Sequence, residues 1–212
     1  MSEKEQTPPE PVETPADTQV DGPLSGPLSP KGHWTLKKTV VMVGMMGAGK
    51  TAVGRGLAAR LKVPFLDSDH EIEVAADRTI PEIFARDGEP FFRQKERQVI
   101  ARLLEEERGV LSTGGGAFLA EENRNTISQQ GVSVWLKADL DVLWNRVKHR
   151  DTRPLLRTAD PYATLSSIYN DRVPFYAEAD LAVVSDGQAS IDEMVDRVID
   201  ALKARPDVLE WT

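Results

Sequence analysis

Residues 44–51, Gly-Met-Met-Gly-Ala-Gly-Lys-Thr, combine three glycines with a lysine and a hydroxyl in the pattern G-x-x-x-x-G-K-[ST]. Glycines let the backbone curl until successive N–H groups point at one spot, and a helix N-terminus beyond them adds partial positive charge there. Such a spot suits phosphate oxygens. Gly47, Ala48, Gly49, Lys50, Thr51 and Ala52 are the expected nucleotide-binding residues, with Lys50 reaching the β- and γ-phosphates and Thr51 offering its hydroxyl to Mg²⁺. A plain Gly-rich turn is the alternative. The apolar run before the loop and the helix-period pattern after it favour a nucleoside triphosphate.

Five further stretches could carry chemistry. Asp67-Ser68-Asp69 places two carboxylates one residue apart. One suits the water shell of Mg²⁺, which keeps several waters, and the other suits substrate hydroxyls; a helix N-cap is the competing role. Arg93 and Glu96 stand three apart, on one helix face. They are either an exposed ion pair or an arginine held rigid to fork onto an anionic substrate. Gly114-Gly115-Gly116 is costly in chain entropy unless backbone must approach a ligand, the other reading being a flexible loop. The basic run 149–156 holds Arg153 before Pro154 and is either a solvated loop or a lid bringing charge over the phosphates. Arg172 is a second guanidinium candidate, although alone it reads as an exposed ion pair.

The chain has 212 residues, 40% hydrophobic and 28% charged, an ordinary balance that excludes a collagen, a coiled coil or a wholly disordered polymer. No apolar run approaches the ~18–20 residues of a membrane span. Net charge is −8, of which residues 1–30 carry −5 from six acids and one lysine. Neither nucleic acid nor membrane is therefore an expected partner. The absence of cysteine excludes disulfides and thiolate chemistry, and with an acidic N-terminus lacking an apolar stretch it points to the cytoplasm. His33, His70 and His149 lack metal-ligand spacing, and the four tryptophans read as packing.

The elements that must position these residues follow from pattern. Residues 1–35 hold seven of the 14 prolines and few large apolar residues, which reads as a disordered acidic tail before a domain over 36–212. Strands are expected at 38–43, 64–66, 110–112, 132–137 and 181–184, and their near-continuous apolarity suits burial on both faces. Val53, Leu57 and Leu61 form one helical stripe. Ile191, Met194, Val195, Val198, Ile199 and Leu202 form a stronger one. Thr79 with Glu82, and Ser190 with Glu193, read as capping boxes. The βαβα alternation implies a parallel α/β sheet, whose ligands bind beyond the carboxyl ends of the strands.

Taken in order, the loop at 44–51, Asp-x-Asp at 67–69, Phe-Arg-x-x-Glu at 92–96, Gly-Gly-Gly at 114–116, Arg-Pro-Leu-Leu at 153–156 and Arg-x-Pro-x-Tyr-x-Glu at 172–178 resemble shikimate kinase, from about residue 39 to 202. The resemblance implies a P-loop NTPase fold like that of nucleoside monophosphate kinases, with a five-stranded parallel sheet flanked by helices. It implies transfer of the γ-phosphoryl of ATP to the 3-hydroxyl of shikimate, with Mg²⁺, by a monomer. It further implies catalytic roles for Lys50, Asp69 and Arg153, and metal-side roles for Thr51 and Asp67. Shikimate would meet Asp69, Arg93, Gly115, Gly116 and Arg172, with Glu96 orienting Arg93, while Arg146 would stack on adenine and Arg153 would lie over the phosphates. The loop around 185–190 shows no strong signature for the base. A gluconate kinase, a nucleoside monophosphate kinase and a nucleotide-sensing module are the rivals.

Overall fold

The structure is a computed structural model that describes residues 32–149 and 154–212. Its centre is β2 (Thr39–Val43), five residues that are all buried. Val40, Val41 and Val43 are β-branched and stiff, which favours the extended chain, and each side chain contributes roughly 1.5–3 kcal/mol by leaving water. Thr39 is buried too, and its hydroxyl is satisfied by donating to the Glu107 carbonyl at 2.7 Å and accepting from the Gly109 amide at 3.3 Å.

On either side of β2 lie β4 (Val110–Ser112) and β5 (Gly131–Lys137), with β3 (Phe65–Asp67) and β6 (Leu181–Val184) at the edges. The order is β3-β4-β2-β5-β6 and every pair is parallel. All five expected strands are present, with ends moved by no more than one residue. Parallel pairing sends every carboxyl end to the same side. Gly44, Asp67, Gly114 and Ser185 therefore sit along one rim of the sheet.

The helices are α1 (Lys50–Leu61), α2 (Ser68–Ala76), α3 (Ile80–Glu106), α4 (Glu121–Gln130), α5 (Leu140–Val147), α6 (Pro161–Tyr176) and α7 (Ile191–Lys203). Both capping boxes form: Thr79 and Ser190 each accept from the amide of the glutamate three residues on, which reaches back to their own amides at 2.8 and 2.7 Å. In α3 the helix breaks at Gly88 (φ 80°, ψ 173°) and restarts before Pro90. Arg93 and Glu96 thus lie near the start of a fresh helical segment. α1 is rich in small residues and packs closely. A Cβ at Gly54 would come within 3.0 Å of Phe65, and one at Gly56 within 2.9 Å of Val195 on α7.

Two short strands were not anticipated. β1 (Trp34–Leu36) and β7 (Leu209–Trp211) pair antiparallel, with Trp34 opposite Trp211 and their rings edge-on at 4.8 Å. β1 begins inside the segment read as tail. At three residues each, and paired across the length of the chain, neither strand has a local pattern to announce it. The rest of that segment, 1–31, lies outside the described residues.

Candidate active site

The phosphate-type loop between β2 and α1 takes the shape its glycines permit. Gly44, Gly47 and Gly49 all have positive φ, at 133°, 81° and 97°. Gly47 is also constrained in space, since a Cβ there would lie 2.7 Å from Val147. Lys50 donates to the carbonyls of Gly44 at 2.8 Å and Met45 at 3.1 Å. The Thr51 hydroxyl lies 3.4 Å from that of Ser112 at the end of β4. A cavity of about 470 Å³ opens over this loop, and Gly47, Ala48, Gly49, Lys50, Thr51, Ala52, Asp67, Asp69, Gly115 and Arg146 are in its walls.

Arg146, near the end of α5, ties that cavity together. One guanidinium nitrogen donates to the Gly47 and Ala48 carbonyls at 3.3 and 3.4 Å, and the other to the Ser185 hydroxyl at 3.1 Å. Ser185 is a site residue that sequence reasoning missed. Its signal was positional, because it directly follows β6 on the sheet's carboxyl rim. Ile191 shows the converse. It belongs to the apolar stripe of α7 in the sequence, yet it is 51% exposed and edges this cavity rather than the core.

A second cavity of about 210 Å³ adjoins the first. Asp69, Arg93, Glu96, Gly115, Gly116 and Arg172 are in its walls, along with Met46, Phe92 and Leu155. Here two of the three glycines of 114–116 have a spatial reason. A Cβ on Gly114 would lie 2.8 Å from the Asp69 carboxylate, one on Gly115 3.4 Å from the Arg172 guanidinium, and one on Gly116 2.7 Å from that of Arg93. Gly114 and Gly116 each make room for one charged side chain, which a merely flexible loop would not require, while at Gly115 a Cβ would be in ordinary contact.

Arg93 and Glu96 meet at 2.8 Å, with the Glu96 side chain only 1% exposed. An exposed pair would contribute little, whereas breaking a buried one costs about 3–5 kcal/mol. Burial opposes the charge on Arg93, but its hydrogen bonds to Glu96 and Glu89 hold its pKa above the ordinary value. Burial raises the pKa of Glu96, with Arg93 pulling it back. The Oε1 of Glu96 has no hydrogen-bond partner among the described residues.

Asp69 stands where the two cavities meet and is in the walls of both. Its pKa is raised, first by burial and then by the neighbouring Asp67 charge, with Lys50 pulling the other way. Asp67 caps α2 by accepting from the Asp69 amide at 3.1 Å, so both roles weighed for the Asp-x-Asp pair are open to it at once. Arg153 lies outside the described residues. Among the described residues, no group of three or more His, Asp or Glu could hold a metal by itself. The Thr51 hydroxyl and Asp67 carboxylate share the first cavity. That sparse oxygen set fits Mg²⁺, which takes few protein ligands and completes its shell with water and phosphate oxygens.

A parallel sheet with this loop at its central switch point, and an arginine-lined cavity beside it, defines a P-loop phosphotransferase acting on a small molecule. The sequence model of the shikimate kinase family matches residues 46–203. A shikimate kinase of Ruegeria pomeroyi is 73% identical over 84% of this chain and 92% of its own length. One from Cereibacter sphaeroides is 69% identical over 82% and 87%. Among solved structures, the Acinetobacter baumannii shikimate kinase in complex with shikimate superposes with a TM-score of 0.74 at 36% identity, covering 79% of this chain and 93% of that one. The chain belongs to the shikimate kinase family. A Sinorhizobium meliloti gluconokinase shares the fold at a TM-score of 0.53 and 18% identity. No described helix is long and apolar enough to cross a membrane.

Proposed function

We propose that the chain transfers the γ-phosphoryl group of ATP to the 3-hydroxyl of shikimate, giving shikimate 3-phosphate and ADP. The observation that carries this is the place of Asp69, a buried carboxylate at the meeting of a phosphate-loop cavity and an arginine-lined one. Shikimate is a small anionic polyol. Arg93, fixed by Glu96, and Arg172 take its carboxylate, bidentate recognition being the strength of a guanidinium. The amides of Gly115 and Gly116 add backbone donors. Asp69 accepts from the ring hydroxyls and orients the attacking one toward the phosphates.

In the transfer, the shikimate oxygen forms a bond to the γ-phosphorus as the bond from that phosphorus to the bridging oxygen of ADP breaks. The hydroxyl proton passes to Asp69, whose raised pKa makes it a better acceptor than an exposed carboxylate. Amides of the loop from Gly47 to Ala52 and the Lys50 ammonium stabilise phosphate charge, and Arg146 flanks the base. The role read for Arg153 over the phosphates completes the set. Thr51 and Asp67 would hold Mg²⁺, directly or through water, and the bound ion would neutralise charge on the phosphates. A monomer is the working unit in this reading. A reducing cytoplasm is the setting that the cysteine-free sequence supports.

The test is ADP release from Mg-ATP with shikimate, gluconate or AMP as acceptor. Release that requires shikimate is expected. Release with gluconate or AMP instead would keep the kinase class and overturn the acceptor.

A further inference from the structure

The 114–116 loop has its carbonyls committed and two of its amides unused. The Gly114 carbonyl accepts from the Ala117 amide and the Gly116 carbonyl from the Leu119 amide, both at 3.1 Å. The Gly114 amide donates to the Ser68 hydroxyl at 3.3 Å. The Gly115 carbonyl accepts from the Tyr176 hydroxyl. Among the described residues, the amides of Gly115 and Gly116 donate to nothing.

The Gly115–Gly116 peptide is trans, so its carbonyl and its N–H point in opposite directions. Whatever fixes the Gly115 carbonyl also aims the Gly116 N–H. Tyr176 is well suited to fix it. Its side chain is fully buried and its ring stacks on Trp135 at 6.3 Å, so the phenol has no room to swing. Burial raises its pKa from 10.0, against the pull of the Arg172 guanidinium beside it, and the phenol therefore keeps the proton it donates. Gly115 and Gly116 are in the wall of the acceptor cavity and Tyr176 stands behind them.

We propose that Tyr176 is a positioning residue for the acceptor: by holding the Gly115 carbonyl, its hydroxyl aims the Gly116 N–H into the cavity that receives shikimate. This rests on the reading that the glycine amides bind shikimate. It adds a side chain that acts through the backbone and touches no substrate.

Tyr176→Phe keeps the ring and removes only the hydroxyl. The shikimate KM should rise about five- to tenfold, the effect of one misaimed hydrogen bond, while the ATP KM stays within about twofold. Equal changes in both, or in neither, would overturn the proposal. The Gly116 amide resonance separates the two layers of inference. In the wild-type chain it should shift on titration with shikimate, and in Y176F the shift should shrink. No shift in wild type would remove the glycine amides from shikimate binding, and the proposal with them. An equal shift in Y176F would leave the amides in place and overturn the role of Tyr176. Should Y176F fail to fold, a fluorinated tyrosine at 176 replaces it. Fluorine lowers the phenol pKa, so raising the pH removes the donated proton. The shikimate KM should then climb with pH in the substituted chain but not in wild type, and parallel profiles would overturn the proposal.

Discussion

Around the first cavity the groups that suit a phosphate come from one stretch, 44–52, with positive-φ glycines curling the backbone and Arg146 bracing it. Around the second the polar groups come from four separate segments: Asp69 on α2, Arg93 and Glu96 on α3, the glycines after β4, and Arg172 on α6. On the proposed function, one side uses backbone amides and a helix N-terminus, which would serve any triphosphate. The other uses fixed charges in one arrangement, which would serve a particular anion. Generality and specificity are thus built from different materials and joined at one carboxylate. Substitutions on the acceptor side should spare the nucleotide, and the reverse should also hold.

The largest effect should come at the junction itself. Asp69→Asn should lower kcat by about 10²–10⁴-fold, the usual contribution of a general base, in initial-rate assays with ATP affinity retained. Its melting temperature should not fall. The folded state raises the pKa of Asp69, so it binds that proton more tightly than the unfolded chain does, and the ionised carboxylate opposes folding at neutral pH. A kcat near wild type would separate Asp69 from the transfer.

Arg93→Lys comes next, because a point charge replaces a fork and leaves Glu96 with a poorer partner. The shikimate KM should rise by about tenfold or more with the ATP KM little changed, measured by varying each substrate in turn. Smaller still is Ser185→Ala, which removes one hydrogen bond from Arg146. The ATP KM should rise about two- to fivefold with that of shikimate unmoved. A gentler probe is pH. Activity with shikimate should fall on the acid side as Asp69 takes up a proton, with a midpoint above the ordinary carboxylate value of 3.8. An acid limb at or below that value would mean that burial does not act on the reacting carboxylate.

Legibility in the sequence follows the same division. The phosphate loop is contiguous, and its glycines, lysine and threonine declare both conformation and chemistry within eight residues. The five strands were legible because burial on both faces leaves unbroken apolar runs. On the acceptor side the residues were legible but their assembly was not. Nothing in the spacing of Gly114, Gly115 and Gly116 says that each faces a different charged group. Tyr176 stood in a recognised stretch without a task, because its task is a hydrogen bond across 61 residues to a backbone carbonyl. Ser185 was hidden in a loop without pattern. β1 and β7 were invisible because three-residue strands paired end to end leave no periodicity.

The separation of the two cavities is tested most directly by calorimetric titration of Gly116→Ala with an ATP analogue and, separately, with shikimate. A Cβ at 116 would lie 2.7 Å from the Arg93 guanidinium and push it aside, and Gly116 is in the wall of the acceptor cavity but not of the nucleotide one. Shikimate binding should weaken by about 100-fold or more, the order expected when a buried charge pair is disturbed, while nucleotide affinity stays within about twofold. Parallel loss of both ligands, or shikimate binding that survives intact, would contradict two independently built sites meeting at Asp69.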